Sequence, residues 1–328
     1  MRKKNCNKKI MGYILTFFCV LTFNFMIPRL MPGDPFTFLS SDEGDVTITY
    51  TEAQIEKYKA YYGLDKPLPE QYAKYIKDTF KGNLGYSIYY NDQVLNIIKS
   101  RIGWTVGLVL ISTFLSAVIG CILGCISAWY KNKRGDGILY FIMLGFSEIP
   151  PFLVGTLFLF ILAAKYGLFP LAGATESFAE YPNKYAQIKD IVHHGFLPVL
   201  TLTISNLGGF YLLSRNSTIS VLSKDYIQTA KGKGLRKRTI VFRHALRNAI
   251  FPIITRIFLS LGAMIGGAIL VENVFQYPGV GKLMKEAVFV RDYPLIQGIF
   301  ILVTLLVLIS NFLSDIVCKK LDPRMNVN

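Results

Sequence analysis

Few side chains in this 328-residue sequence could do chemistry, and their spacing forms no catalytic set. The three histidines are His193, His194 and His244. His193-His194 could touch a metal ion, but consecutive residues on a helix or strand rarely face one ion together. The pair reads as an ordinary interfacial one, and no metal site is expected. The cysteines, Cys6, Cys19, Cys121, Cys125 and Cys318, contain no CxxC pair. There is no GxxxxGK(S/T) phosphate loop and no HExxH, so nucleotide binding by that loop and zinc proteolysis are excluded. The most unusual ionisable residue is Glu148, which stands in a long apolar stretch directly before Ile149-Pro150-Pro151. A charge at the centre of a membrane span costs roughly 2.5–3.5 kcal/mol on insertion scales, so it should face water or a partner rather than lipid. A solute pathway and a structural ion pair with Arg256 are both open to it. The following prolines remove backbone donors and open the helix there.

That reading requires the stretch to cross a membrane, and the composition supports it. Hydrophobic residues make up 52% of the chain and charged residues 17%, with a mean hydropathy of +0.38. Soluble domains carry about a quarter charged residues. Six segments have the roughly 20 mostly apolar residues that a crossing needs, or nearly so. They are 10–27, 104–130, 138–163, 196–213, 250–270 and 295–317. The first follows a basic start but lacks a small-residue cleavage site, so it is expected to be a retained span. The fifth contains Gly262-x-x-x-Gly266-Gly267, a spacing that lets helix backbones approach closely in lipid.

Charge fixes an expected orientation. With a cytoplasmic N-terminus, residues 1–9, 131–137, 214–249 and 318–328 lie inside with net charge +17, and the external segments carry −1. This asymmetry accounts for the overall +15 without nucleic acid, even at Arg236-Lys237-Arg238. The expected organisation is a cytoplasmic N-terminus and first span (1–27), an extracytoplasmic helical segment (28–103), a transmembrane domain (104–317) with a cytoplasmic loop (214–249), and a cytoplasmic tail (318–328).

Two soluble segments stand out. In the external one, Thr51 and Gln54 have capping-box spacing before Ile55, Tyr58 and Tyr62, with Gly63 as the stop. A second amphipathic helix carries Tyr72, Tyr75, Ile76, Thr79 and Phe80. In the cytoplasmic loop a short helix is expected over 224–233, capped by Ser223 and ended by Gly234, with another helix from about Thr239. Tyr226 and Ala230 are four residues apart and are expected to share one face. Helix, glycine, helix is more than positive-inside charge requires, and suits a docking element for a cytoplasmic protein.

Those residues resemble a known family. Asp225-Tyr226-Ile227-Gln228-Thr229-Ala230-Lys231-Gly232-Lys233-Gly234-Leu235, with Arg243-His244-Ala245-Leu246-Arg247-Asn248 and Pro252, is similar to the cytoplasmic signature of bacterial ABC importer permeases. Further blocks point to the first-permease branch of the oligopeptide/dipeptide/nickel group: Arg29-x-x-Pro32-Gly33-Asp34-Pro35, Gly63 to Leu68, Gly82 to Gly85, Val274 to Gly281 and Arg291 to Gly298. The general signature begins Glu-Ala-Ala, where this chain has Gln228-Thr229-Ala230. Glu148 stands where the branch often has serine.

The resemblance implies an all-α membrane protein of six transmembrane helices with type I importer architecture, an external helical subdomain and a cytoplasmic coupling helix. It implies a peptide permease in the bacterial cytoplasmic membrane, with nickel or a metal chelate as the alternative solute. It also implies a homologous second permease, two ATPase subunits that bind the ATP, and an extracytoplasmic substrate-binding protein. Asp225, Tyr226, Gln228, Thr229, Ala230, Gly234 and Leu235 would couple the chain to the ATPases. The chain itself needs no cofactor. A polytopic membrane enzyme would need a nucleophile–base pair at one depth, which is missing; a self-sufficient transporter would need internal repeats.

Overall fold

The computed structural model describes residues 2–30, 56 and 65–321. The Thr51–Gln54 capping box, the helix through Ile55, Tyr58 and Tyr62, the Pro32 to Pro35 block and the end of the tail lie outside them. The helices are α1 (Arg2–Leu30), α2 (Leu68–Phe80), α3 (Val94–Trp129), α4 (Arg134–Glu148), α5 (Pro151–Phe158), α6 (Lys184–Leu222), α7 (Asp225–Gly232), α8 (Leu246–Val274), α9 (Val280–Phe289) and α10 (Tyr293–Leu321). A π-helical turn, Leu159–Lys165, extends α5, and Lys237–Thr239 with π-helical Ile240–Ala245 leads into α8. An isolated antiparallel bridge joins Tyr86 to Gln93.

Four helices are long and apolar enough to cross a membrane, or five if α4 and extended α5 form one bent span; the apolar helix Met11–Ile27 is shorter. Several helices overrun the apolar stretches that announce them. The stretch 196–213 lies within Lys184–Leu222, and 104–130 is entered from Val94. Backbone hydrogen bonding continues through polar flanks that hydropathy alone counts as loop, so 214–222 is the end of α6.

The third apolar stretch departs most from a simple span: α4 and extended α5 meet at 99°. Two consecutive prolines cause the bend. A residue before proline is driven from the α region to extended backbone. Ile149 (φ −81°, ψ 122°) and Pro150 (φ −56°, ψ 137°) both obey this rule. Pro151 then occupies the first turn of α5, where a missing N–H costs nothing.

The described residues form two compact units, residues 1–103 with 280–306 and residues 104–279 with 307–328. In the first, Tyr72 and Tyr75 of α2 pack their rings on Phe25 of α1, at 5.2 and 5.6 Å between centroids. Thr22 shares a 2.7 Å hydrogen bond with the Tyr72 hydroxyl, and Asn24 donates to the Tyr75 hydroxyl at 3.0 Å. The aromatic stripe of α2 thus packs on a neighbouring helix. Val94, Ile98, Leu283, Leu295 and Ile299 form this unit's core. Buried Asp292 caps α10, accepting from the Leu295 backbone at 3.1 Å, the Tyr89 backbone at 3.0 Å and the Ser87 hydroxyl. Burial holds its carboxyl above the usual carboxylate range, against the pull of those donors.

In the second unit α6 is the central element, packing on α4, α5 and α8. Leu197, Leu202, Met264, Ala268 and Val271 lie in its largest core. Glycines set the close helix approaches: Gly208 of α6 lies against the Met143 carbonyl and Ser147 of α4, and two glycines of α3 lie against α6. A Cβ on Gly120 would lie 2.7 Å from Phe210 Cβ, and one on Gly124 would lie 2.7 Å from the Tyr211 carbonyl. In this unit the small-xxx-small seam is therefore Gly120-x-x-x-Gly124.

Candidate functional site

Two places in the second unit hold the residues singled out by sequence. The first is α7. Its chain leaves α6 at Leu222, and the Lys224 backbone donates to the Val221 carbonyl at 3.1 Å. Ile227 is fully buried and Ala230 is 7% exposed. Together they pack on Trp129 at the end of α3, Val221 and Leu222 at the end of α6, and Ile240. Asp225, Tyr226, Gln228 and Thr229 are exposed, as are Gly232 to Lys237.

The shared Tyr226–Ala230 face is therefore not an outer face. Ala230 points into the chain with Ile227, while the Tyr226 hydroxyl accepts from Asn248 at 2.8 Å. The pattern i, i+3 of Ile227 and Ala230 was the signal for this burial. Ser223 does not cap the helix; its hydroxyl donates to the Ser220 carbonyl at 2.9 Å. Gly234 has φ +68°, and the Leu235 backbone reaches the Ala230 carbonyl at 3.4 Å, a Schellman-type end.

The second place is the bend. Glu148 is exposed at the end of α4. A cavity of about 240 Å³ lies beside it, lined by Ser147, Glu148, Pro150, Asn206, Met264 and Gly267, among others. Asn206 donates to the Leu202 carbonyl at 3.1 Å, leaving its carbonyl oxygen as an acceptor. The structural alternative of an ion pair with Arg256 is not formed. Asp190, Asp136 and Glu286 do take basic partners, namely His194, Arg215 and Lys282. Arg256 instead lies over Gly209, where a Cβ would sit 2.8 Å from the guanidinium.

The glycines of α8 divide. Gly262 packs on α10, with Ser310 Cβ and Val307 Cα both 3.5 Å from where its Cβ would be. Gly267 faces Pro151 at 3.6 Å, and Gly266 faces open space. His193 bonds the Leu168 carbonyl at 3.1 Å and His194 pairs with Asp190 at 3.0 Å.

Beyond the Asp292 cap, sequence reasoning missed two more buried charges. Glu272 of α8 is fully buried and accepts from the Thr105 hydroxyl at 2.6 Å. A Cβ on Gly279 would collide with its carboxyl group, so the turn closes against Glu272. Tyr277 lies in that turn with its ring edge-on to Trp104, 5.6 Å between centroids. Burial, and secondarily the Glu272 charge, pushes its hydroxyl up to about 12. The second is Asp136, which binds Arg215 through two hydrogen bonds of 2.8 and 3.0 Å. Both were counted as loop charges; for Asp136 the available signal was the opposite charge of Arg215 at the same end of a neighbouring span.

Comparison with known proteins matches residues 120–327 to the family described as "Binding-protein-dependent transport system inner membrane component". The chain is 33% identical over 304 residues to the oligopeptide transport system permease protein AppB of Bacillus subtilis, covering 92% of each chain. It is 32% identical over 316 residues to the glutathione transport system permease protein GsiC of Escherichia coli, covering 96% of each. A chain of the inward-facing MetNI methionine ABC transporter shares the fold at TM-score 0.58 and 14% identity, covering 70% of this chain and 97% of that one.

Proposed function

The chain belongs to the family of binding-protein-dependent transport system inner membrane components, and on that premise we propose that it forms half of a translocation pathway for peptides. It is a multi-pass membrane permease subunit of an ABC importer and not an enzyme, which sets aside a polytopic membrane enzyme. The remaining machine is a homologous second permease, two ATPase subunits that bind ATP on the cytoplasmic side, and an extracytoplasmic binding protein. Both termini are cytoplasmic by the charge asymmetry, and α1 supplies the sixth span through Met11–Ile27. Peptide is the favoured solute because AppB and GsiC are named for oligopeptides and glutathione, itself a tripeptide. Among the described residues no cluster of three His, Cys, Asp or Glu is placed to hold a metal, so no observation favours nickel or a chelate.

The observation that carries the proposal is α7, a short helix clamped on one face by Trp129, Leu222 and Ile240 and presenting Asp225, Gln228 and Thr229 on the other. A rigid helix with an anchored apolar face transmits a push, whereas a loose loop absorbs one. Displacement of α7 by the ATPases would bias the permease pair between inward- and outward-facing states through differential contacts. Glu148, exposed at the bend beside a cavity, would line the pathway and weakly attract a cationic peptide amino terminus. Gly266, open on α8, is offered to the partner permease or lipid.

The test is co-purification of the chain with its ATPase subunits and crosslinking from Gln228→Cys. Uptake of labelled di- and tripeptides against nickel decides the solute. A complex that assembles without contact at position 228, or that carries nickel and not peptide, rejects the corresponding part. For the pathway, Glu148→Cys should react with a small polar thiol reagent to an extent that changes with ATP cycling. Constant protection, with normal transport by Glu148→Gln, would place Glu148 outside the pathway.

A further inference from the structure

Where α3, α4 and α6 come together, one guanidinium holds all three. Arg215 of α6 grips Asp136 of α4 by two parallel bonds, Nη2 to Oδ2 at 2.8 Å and Nε to Oδ1 at 3.0 Å. Ser127 of α3 donates to the same carboxylate and accepts from Arg215 Nε at 3.1 Å. Its oxygen also shares a 2.6 Å hydrogen bond with the Tyr211 hydroxyl. The Asn132 backbone adds a donor to Oδ2 at 3.3 Å, and the guanidinium lies 5.2 Å from the Tyr140 ring centre. The two charged side chains are only 15% and 4% exposed.

Such a buried pair contributes little net stability, because desolvating two charges offsets most of their attraction. What a two-bond fork supplies is direction: it fixes the mutual orientation of the elements it joins. The elements joined here are mechanically placed. From Arg215, α6 runs to Val221 and Leu222, which with Trp129 of α3 form the seat of Ile227 and Ala230 in α7. From Asp136, α4 runs to the bend at Ile149-Pro150 and to Glu148. Gly124, a turn from Ser127 on α3, holds that helix against α6, with Arg215 N 2.8 Å from where a Cβ would be.

We infer that Asp136, Arg215 and Ser127 form a positioning clasp for transport, one that makes α3, α4 and α6 move as a body when α7 is displaced. Without it, α6 and α3 would follow α7 while α4, and the bend it carries, would lag. This rests on the reading of α7 as the coupling helix. The clasp residues act by position: they set whether movement at α7 reaches the bend.

The assay is the complete importer, with its second permease, ATPases and binding protein, in proteoliposomes. Peptide uptake and binding-protein-stimulated ATP hydrolysis are measured in the same vesicles. Asp136→Asn and Arg215→Gln should each retain hydrolysis while uptake per ATP falls about two- to thirty-fold, the span of coupling changes from single substitutions. The double variant should be no worse than the worse single one, since both remove one interaction. Ser127→Ala keeps the ion pair and loses only the tie to α3, so it should lower the same ratio by a smaller factor. If the charge variants fail to assemble, Ser127→Ala and Tyr211→Phe carry the test. An unchanged ratio in the assembled variants, or uptake and hydrolysis falling in proportion, overturns the clasp. Gly234→Val, run alongside, separates the two readings. If it uncouples while the clasp variants do not, the clasp alone fails; if it also leaves the ratio unchanged, both fail.

Discussion

Replacing Gly234 isolates the end of α7 from everything else in the chain. Gly234 has φ +68°, and a Cβ there would meet no atom within 4 Å. The cost of a side chain is therefore purely backbone conformation. A left-handed residue costs an L-amino acid roughly 1–2 kcal/mol, and a β-branched one stands at the upper end or beyond. Gly234→Val should thus disfavour the observed end by about 2 kcal/mol, roughly a thirty-fold shift in its population. Gly234→Asn tolerates the conformation and should cost well under 1 kcal/mol. Gly232 supplies the control, being equally open but without a positive φ. Gly232→Ala should be neutral or should stabilise the helix by up to about 1 kcal/mol. The assay is uptake per ATP hydrolysed in the reconstituted importer, with assembly checked by recovery of the intact complex. The expected order is wild type and Gly232→Ala together, Gly234→Asn slightly lower, and Gly234→Val lowest. If Gly234→Val assembles and transports with an unchanged ratio, the shape of this end does not matter and α7 does not couple by it.

Gly124→Leu should destabilise the second unit by about 1–3 kcal/mol or prevent folding, since its side chain would enter the α6 backbone. Gly266→Leu should leave the isolated chain's thermal unfolding unchanged, because nothing lies within 4 Å; a drop in recovery of the assembled importer alone would place the second permease there. Asp292→Ala removes the cap of α10 and strands the donors of Ser87 and Tyr89, and should cost about 2–4 kcal/mol by unfolding in detergent. Because burial raises this carboxyl, its contribution is complete below the ordinary value of about 3.9 and is lost as pH rises through the raised one. Asp292→Asn should flatten that slope, and an identical pH profile would remove Asp292 as its source. Gly279→Ala should cost about 1–3 kcal/mol by forcing Glu272 aside; combining it with Glu272→Ala should cost less than the sum of the two single effects.

Apolar length and charge bias made the membrane-crossing segments legible, because lipid imposes one hydrophobic requirement along each of them. The end of α7 was legible for a different reason: φ > 0 has few solutions besides glycine, so Gly234 announces its own geometry. The bend was half legible. Pro150 and Pro151 marked the place, but the 99° angle depends on both residues before a proline leaving the helix together, a consequence of the pair rather than of either proline. Which way a helix faces was harder to read. Tyr226 and Ala230 share a stripe on paper, yet Ile227 is the larger apolar residue, and burying it turns Ala230 inward and leaves Tyr226 exposed. Partner choice was hardest. Three GxxxG spacings occur, and nothing local distinguishes Gly120–Gly124, buried on α6, from Gly262–Gly266, half of which is open, or from Gly103–Gly107, open at both positions. The same holds for Asp136, Arg215 and Glu272, each of which looks like an ordinary charge at a span's edge until another helix supplies its bonding partner. In a membrane protein the polar residues that matter are defined by what faces them across a helix boundary, and one-dimensional spacing records only what lies on the same helix.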